Sequence, residues 1–340
     1  MRASIEKWLL RKWYAAHQPP WFLRMLEPVY RVAFQYVQNR GRSGHSRYRS
    51  VVPLIVVGNI TAGGSGKTPL VIRLCQLALD MDFRPAIAST GYGRQSTDTV
   101  LVNAASDTRS CGDEPVLLAE RTGVPVMVAE RRCDAIRKLN EMELDLIISD
   151  DGLQQAAMER DMDICVVDGA RGLGNGHLLP AGPLRESAKR LAQVDYVITN
   201  GAWTGVPQEL DVSIMHLQAS VVYSLDKATV FPVEEFLQIQ ARIPIHAIAG
   251  IGNPQRFFNT LEALGVKATP HEFPDHHMFT RKDFDSIDTG STIIMTEKDA
   301  VKCRSLELEN AWYLPVDTHL PREFETVFKD HLTRIVKEGR

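Results

Sequence analysis

The segment Gly58-Asn59-Ile60-Thr61-Ala62-Gly63-Gly64-Ser65-Gly66-Lys67-Thr68 carries the most specific chemistry in the sequence. Glycines let backbone N–H groups approach phosphate oxygens, and a helix N-terminus behind them favours an anion. Lys67 would reach the β- and γ-phosphates of a bound triphosphate, and Thr68 would bind Mg²⁺ through its hydroxyl. Position 61 departs from the strict pattern, with Thr where Gly is usual. Two acidic stretches could supply carboxylates on the metal side, Asp150-Asp151 and Asp168. Adjacent carboxylates are costly unless a cation neutralises them, so Asp150-Asp151 ranks first. Asp168 reads as a loop cap or as a residue behind the metal.

These residues need strands that end where the ligand sits. Pro53–Val57 reads as a buried strand before the glycine loop, and Pro69–Leu79 as the helix after it. Strands are expected at 84–90, 124–129, 144–149, 163–168 and 196–199, with helices at 114–121 and 133–142. That alternation means a parallel sheet covered on both faces. Two strand-like runs from 212 to 225 read as a connector. A smaller alternation follows, with strands at 246–249, 268–273 and 292–295 and a helix at 254–264. A helix over Arg322–Lys337 closes the chain. The organisation is then 1–49 helical arm and linker, 50–211 phosphate-loop domain, 212–226 two-strand connector, 227–318 smaller α/β lobe and 319–340 C-terminal helix. The fold class is α/β, a P-loop NTPase-like parallel sheet with a second, smaller α/β lobe.

The arm has a distinct composition. Residues 1–49 hold ten Arg or Lys against two Glu, a net +8, within a chain whose total is −3. A helix to His17 carries Trp8 and Trp13, and Gln18-Pro19-Pro20 breaks it. In a second helix, which Pro28 should kink, Phe22, Met25, Leu26, Val29, Ala33 and Tyr36 share one face. Arg24, Glu27, Arg31, Gln35 and Gln38 share the other. Such a helix lies in a membrane interface or packs on its own protein's core. The basic charge favours an anionic membrane surface, and 41–50 reads as a linker. No run is long enough to span a bilayer. Five scattered cysteines without a C-x-x-C pair fit a reducing compartment, and the N-terminus lacks a cleavable signal pattern. At 340 residues, 44% hydrophobic and 24% charged, the chain is an ordinary globular protein, large enough for two lobes.

Further motifs stand in order: Gly91-Tyr92-Gly93-Arg94, Gly112-Asp113-Glu114-Pro115, Asp150-Asp151-Gly152-Leu153-Gln154, Leu179-Pro180-Ala181-Gly182-Pro183-Leu184-Arg185-Glu186, Phe273-Pro274-Asp275-His276-His277 and Thr296-Glu297-Lys298-Asp299-Ala300-Val301-Lys302. Together with a loop of the form T/S-x-G-G-T/S-G-K-T, they closely resemble the tetraacyldisaccharide 4′-kinase family. The resemblance covers nearly the whole chain, and it accounts for Thr61. It implies transfer of the ATP γ-phosphate to the 4′-hydroxyl of an acylated glucosamine disaccharide 1-phosphate, in lipid A biosynthesis. The acceptor would lie in the bacterial inner membrane, with the enzyme on its cytoplasmic face, peripheral or monotopic. No nucleic acid is implied, and the oligomeric state stays open.

By that resemblance, Thr61, Ala62, Gly63, Gly64, Ser65, Gly66, Lys67 and Thr68 bind ATP. Asp113 is the candidate general base, acting with His276 across the cleft between lobes, although Asp113 could equally cap the helix that follows it. His277 is the lesser candidate. Thr68, Glu114, Asp150 and Asp151 are candidate Mg²⁺ ligands, with Glu114 also suited to the first helical turn. Arg94, Arg132 and Arg185 could grip phosphate bidentately or form surface salt bridges. Tyr92 could contact nucleotide or sugar, or pack. Gln154 could brace the loop after the acidic strand, and Lys298 is structural or near the nucleotide. Gly250-Ile251-Gly252 is a lone glycine turn and does not mark a dinucleotide site.

The rival reading is a membrane-associated switch ATPase of the MinD/ParA type. That class places a Lys directly before the paired glycines, where this chain has Ala62. A GTPase would need Asn-Lys-x-Asp, which Thr296-Glu297-Lys298-Asp299 does not provide.

Overall fold

The computed structural model describes residues 2–14, 18–43 and 47–337. The end of the first helix near His17 and part of the 41–50 linker lie outside the described residues. Helices α1 (Arg2–Trp13) and α2 (Trp21–Ser43) precede the first sheet, and α2 runs through Pro28.

The phosphate-loop lobe is built on β1 (Leu54–Gly58), β2 (Pro85–Ser89), β3 (Val100–Val102), β4 (Val126–Val128), β5 (Leu146–Asp150), β6 (Met162–Asp168), β7 (Tyr196–Asn200) and β8 (Ser213–Gln218). Its helices are α3 (Lys67–Leu79), the single turn α4 (Thr108–Cys111), α5 (Asp113–Thr122) and α6 (Arg132–Leu139). The second lobe adds β9 (Val221–Ser224), β10 (Val230–Pro232), α7 (Val233–Ile239), β11 (Ile245–Ala249), α8 (Pro254–Ala263), β12 (Ala268–Glu272), β13 (Thr292–Thr296), α9 (Glu297–Cys303) and β14 (Ala311–Leu314). The chain then returns through β15 (Asp317–His319) to α10 (Arg322–Lys337).

The nine-stranded sheet has the order β15-β8-β7-β6-β1-β5-β2-β4-β3. Only its edge strands β3 and β15 pair antiparallel. The apolar strands β1, β2 and β5 are buried along their whole length, as a parallel sheet covered on both faces requires. One face packs on α3, α5 and the returning α10, whose Phe324, Phe328 and Leu332 enter the core. The other face packs on α6. The six-stranded sheet of the second lobe has the order β10-β9-β14-β13-β11-β12. The two strands read as a connector part company, β8 joining the first sheet and β9 the second.

Helix α2 docks by a mixed stripe of Leu23, Glu27, Tyr30, Phe34 and Gln38, not by its apolar stripe, while Arg24, Arg31 and Gln35 stay exposed. The Tyr30 hydroxyl donates to the Arg185 carbonyl at 2.8 Å, and Gln38 Nε2 donates to the Gln154 carbonyl at 2.7 Å. Glu27 meets His177 at 2.8 Å, while Leu23 is buried. Opposite them, Met25, Val29, Val32 and Tyr36 are each about two-thirds exposed. The helical period put Glu27 and Gln38 on the polar face correctly. The docked stripe is held by hydrogen bonds from Tyr30 and Gln38 to two site loops, which leaves the apolar face uncovered.

Candidate active site

Strand β1 delivers the phosphate loop. Gly66, at φ +96°, turns the chain into α3; a Cβ there would also meet Asn200 Nδ2 at 2.3 Å. Asn200, at the end of β7, donates to the Ser65 carbonyl at 3.2 Å and props the loop from below. On the other flank, the segment Pro183–Arg185 pairs with it. Ala62 N donates to the Pro183 carbonyl and Arg185 N to the Ile60 carbonyl, each at 2.7 Å. Thr61 sits inside this pairing and is buried, whereas Gly64 at the crown is exposed. Gln154 Nε2 bridges the Asn59 carbonyl at 2.9 Å to Glu186 at 2.6 Å, bracing the start of the loop.

Lys67, at the first position of α3, reaches Asp151 at 3.5 Å, and Arg185 reaches the same carboxylate at 3.2 Å. Burial opposes the charge of Asp151, but Lys67 and then Arg185 outweigh it and hold the carboxyl well below its usual range. Asp150 behaves differently. It is fully buried, and its Oδ1 has no hydrogen-bond partner among the described residues. Burial first, and Glu114 second, raise its carboxyl to about 7. Lys67 and Glu114 thus both lie within electrostatic reach of Asp150.

An orphaned buried carboxylate beside the first turn of α3 is the donor expected for a hard divalent cation. No cluster of three or more His, Cys, Asp or Glu gathers as a metal cage among the described residues. Mg²⁺ at a phosphate site needs only one or two carboxylates, because phosphates and water complete its octahedron. Asp150 therefore fits the ion, and Thr68, the second residue of α3, would be the hydroxyl donor the sequence offers beside it. Asp151 is engaged by two cations and Glu114 by Lys298.

The Gly-Asp-Glu motif opens α5. Gly112, at φ +92°, packs against Gly91 so closely that a Cβ there would meet its Cα at 3.0 Å. Asp113 is buried and accepts from Glu114 N at 2.9 Å, but it is the first residue of α5 and not its cap, a position held by Gly112. It also meets His276 Nδ1, at 3.0 Å from one oxygen and 3.1 Å from the other. His276 comes from the second lobe, on a turn where its own φ is +57°. Burial opposes the charge of Asp113, but Lys298, His276 and Lys302 outweigh it and keep the carboxyl far below its usual range. For His276, burial lowers the imidazole and the hydrogen bond to Asp113 more than restores it. Tyr92 is exposed, and its ring centre lies 5.0 Å from that of His276. His277 turns away to Asp283 at 3.3 Å.

The arginines divide. Arg185 faces the phosphate loop through Asp151. Arg132 is buried, and its Nη2 donates to the Asp150 carbonyl at 2.6 Å, holding the end of β5. Arg94 donates to the Asp98 carbonyl at 2.6 Å, with its other terminal nitrogen buried and without a partner among the described residues. Asp168 caps its own loop through Ala170 N at 3.1 Å. It also accepts from Arg256 at 2.9 Å and Asn253 at 3.2 Å, both from the second lobe. Lys302, Asp275, Asn200 and Arg256 escaped the reading of the sequence. Lys302 and Asp275 lay within motifs that flagged them without assigning a role. Asn200 and Arg256 had no sequence signal.

The Gly250-Ile251-Gly252 turn lies on the phosphate loop. A Cβ at Gly252 would approach Gly64 N to 2.7 Å, and Arg171 Nη1 donates to the Gly252 carbonyl at 3.3 Å. A backbone nitrogen cannot swing aside, so Gly252→Ala must displace one lobe from the other. Because a shift of about 1 Å at a reacting centre costs up to ~10²-fold, kcat/KM for ATP should fall by about 10–100-fold. The unfolding midpoint should stay near that of the parent. Steady-state kinetics beside a thermal melt measures both, and unchanged kcat/KM would separate this contact from turnover.

The family model described as Tetraacyldisaccharide-1-P 4'-kinase matches residues 19–333. The tetraacyldisaccharide 4'-kinase of Alcanivorax borkumensis is 43% identical, over 94% of this chain and 95% of its own length. That of Pseudomonas fluorescens is 42% identical, over 98% of each. The crystal structure of LpxK from Aquifex aeolicus in complex with ATP superposes with a TM-score of 0.71 at 27% identity, covering 98% of this chain and 99% of that one. With the phosphate loop, the orphaned carboxylate and the paired Asp113 and His276 placed as described, the conclusion follows that this chain belongs to the tetraacyldisaccharide-1-P 4'-kinase family.

Proposed function

We infer that the protein transfers the γ-phosphate of ATP to the 4′-hydroxyl of a tetraacylated disaccharide 1-phosphate, with Asp113 as proton acceptor. The observation that carries this reading is the contact between Asp113 and His276, made across two lobes beside the phosphate loop. Phosphoryl transfer needs in-line positioning, neutralised charge and an acceptor for the hydroxyl proton. The N–H groups of the loop and the Lys67 ammonium hold the triphosphate. Asp113 takes the proton, and His276 Nδ1–H orients its carboxylate. Arg185, beside the loop, can hold an anionic group of either substrate. Thr68 and Asp150 would hold Mg²⁺, which would neutralise phosphate charge when bound. The Gly252 turn and the Arg256–Asp168 pair hold the second lobe against the loop. Transfer of radiolabelled γ-phosphate to the disaccharide 1-phosphate in detergent micelles tests the reading. ATP hydrolysis that leaves the lipid unmodified would favour a switch ATPase instead.

In this reading the arm would dock the enzyme on a membrane surface. Helix α2 turns Met25, Val29, Val32 and Tyr36 outward, next to the cationic charge of residues 1–49. No helix among the described residues is long and apolar enough to cross a bilayer, so α2 would lie in the interface of the cytoplasmic leaflet. Deleting residues 1–40 should abolish flotation with anionic liposomes and leave ATP affinity within about 3-fold. Because Tyr30 and Gln38 also anchor site loops, a Met25→Glu, Val29→Glu double variant isolates the outward face. Two charges there should weaken interfacial binding by roughly 2 kcal/mol or more. Flotation equal to that of the parent would return α2 to a packing role.

A further inference from the structure

Arg171 stands at the crown of the phosphate loop. It lies just beyond β6, in the turn that Asp168 caps, and its own backbone N–H donates to Asp168 Oδ1 at 3.3 Å. The N-terminus of α3 takes the inner phosphates of a triphosphate, so the stretch before Gly66 borders the terminal one. At Gly63, whose φ is +102°, the nearest surrounding group is Arg171 Nη1, 3.8 Å from where a Cβ would stand. The same nitrogen donates to the Gly252 carbonyl at 3.3 Å, where the second lobe meets Gly64. The guanidinium carbon lies 5.2 Å from the ring centre of Tyr14, the residue after α1.

The other cations around the loop are engaged. Lys67 and Arg185 share Asp151, and Arg256 holds Asp168 at 2.9 Å. The Arg171 guanidinium has no carboxylate partner among the described residues. Its side chain is half-buried, and burial penalises a cation unless an anion faces it. The Tyr14 ring and the Gly252 carbonyl hold the planar fork in place without neutralising it. A guanidinium fixed in this way beside a phosphate loop suits an anion that arrives with the substrate.

We propose that Arg171 is a further catalytic residue: from the crown of the loop it donates to the transferring γ-phosphoryl group, while Lys67 approaches from the start of α3, and Tyr14 is its positioning residue. This inference rests on the phosphoryl-transfer reading given above. In that step the bond between the β,γ-bridging oxygen and the γ-phosphorus breaks, and ADP leaves with its electron pair. The 4′-oxygen bonds to the same phosphorus, and the hydroxyl proton passes to Asp113. Arg171 neither gains nor loses a proton; its N–H groups meet the negative charge on the γ-phosphoryl oxygens. The basic arm then takes part in the chemistry, because it supplies the ring on which the guanidinium rests.

The test compares Arg171→Ala, Arg171→Lys, Tyr14→Leu and the Arg171→Ala, Tyr14→Leu double variant with the parent in micelles that hold the acceptor lipid. Steady-state kcat and KM are read beside the binding of ADP with Mg²⁺ and aluminium fluoride, a mimic of the planar phosphoryl group. Arg171→Ala should lower kcat by about 10³-fold, the lower end of the range for an arginine at such a group, with KM for ATP within about 3-fold. Affinity for ADP with aluminium fluoride should fall by about 100-fold, and that for ADP alone by less than about 3-fold. Arg171→Lys, which keeps the charge but not the fork, should fall between parent and Arg171→Ala. Tyr14→Leu should cost about 10-fold in kcat on its own and less than about 3-fold in the Arg171→Ala background. If Arg171→Ala fails to fold, Arg171→Lys carries the same measurements. A kcat within about 3-fold of the parent would overturn the proposal. Equal losses of affinity for ADP and for ADP with aluminium fluoride would also overturn it, leaving Arg171 a tie between lobes. A full multiplicative loss in the double variant would remove Tyr14 from its positioning role. If the parent itself hydrolyses ATP without phosphorylating the lipid, the reading of the function fails instead, so the two failures are distinguishable.

Discussion

Lys67→Ala is expected to lower phosphoryl transfer by about 10²–10⁴-fold, the range for removing one preorganised charge from a developing anion. The expectation follows from where the ammonium sits. Lys67 begins α3 directly after the left-handed Gly66, on a loop propped by Asn200 and by the Pro183–Arg185 pairing. Its nitrogen is therefore fixed before substrate arrives, and little reorganisation is needed at the moment of transfer. The fold should survive, because Asp151 keeps Arg185 at 3.2 Å when Lys67 is lost. The measurement is single-turnover transfer of γ-phosphate to the lipid, beside a thermal melt. A folded Lys67→Ala protein with turnover close to that of the parent would remove phosphoryl transfer from this loop.

Asp113→Ala and His276→Ala should each reduce kcat by about 10²–10⁴-fold, the usual contribution of a positioned base to proton transfer. A sugar hydroxyl is far too weak an acid to ionise unaided near neutral pH, so its proton must have a destination. Asp113 is the available one, kept as a carboxylate by Lys298 and His276 despite its burial. Neither residue contacts the phosphate loop, so ATP affinity should remain nearly intact. The double variant should be little worse than the worse single variant, since each group works through the other. His277→Ala should be milder, because His277 is directed at Asp283. Steady-state kcat and KM of the four variants over a pH series decide the matter. Fully multiplicative losses would leave two independent positioning residues. A large rise in the ATP dissociation constant for Asp113→Ala would assign Asp113 to the metal side.

The parallel sheet and the phosphate loop were legible in the sequence because their signals are contiguous. Leu54–Gly58 is uniformly apolar, and the glycines and Lys67 follow within one turn of chain. Short elements were not legible. The strands Val100–Val102, Val230–Pro232 and Asp317–His319 offer too few residues for any period to emerge, and Ala311–Leu314 is a short apolar run that a helix could equally use. The helix Glu297–Cys303 went unread because it is only seven residues long and buries Glu297, Asp299 and Lys302 alongside Ala300, Val301 and Cys303, so no apolar period emerges.

The sequence by itself determined which residues could do chemistry and which strands would present them, since residue type and local period are properties of neighbouring positions. Only the tertiary structure decided which of them meet. Asp113 and His276 lie 163 positions apart, and no local pattern distinguishes a helix-start Asp from one that also receives an imaidazole from another lobe. The two faces of α2 were likewise readable, but not which of them would dock. Periodicity sorts residues by polarity, whereas docking is decided by hydrogen-bond partners on distant loops, here the carbonyls of Gln154 and Arg185. Asp150 and Asp151 are neighbours in sequence and alike in type. Burial leaves Asp150 Oδ1 without a partner among the described residues, while Lys67 and Arg185 surround Asp151, because the strand ends at Asp150 and a left-handed backbone at Asp151 (φ +55°) turns the next side chain elsewhere.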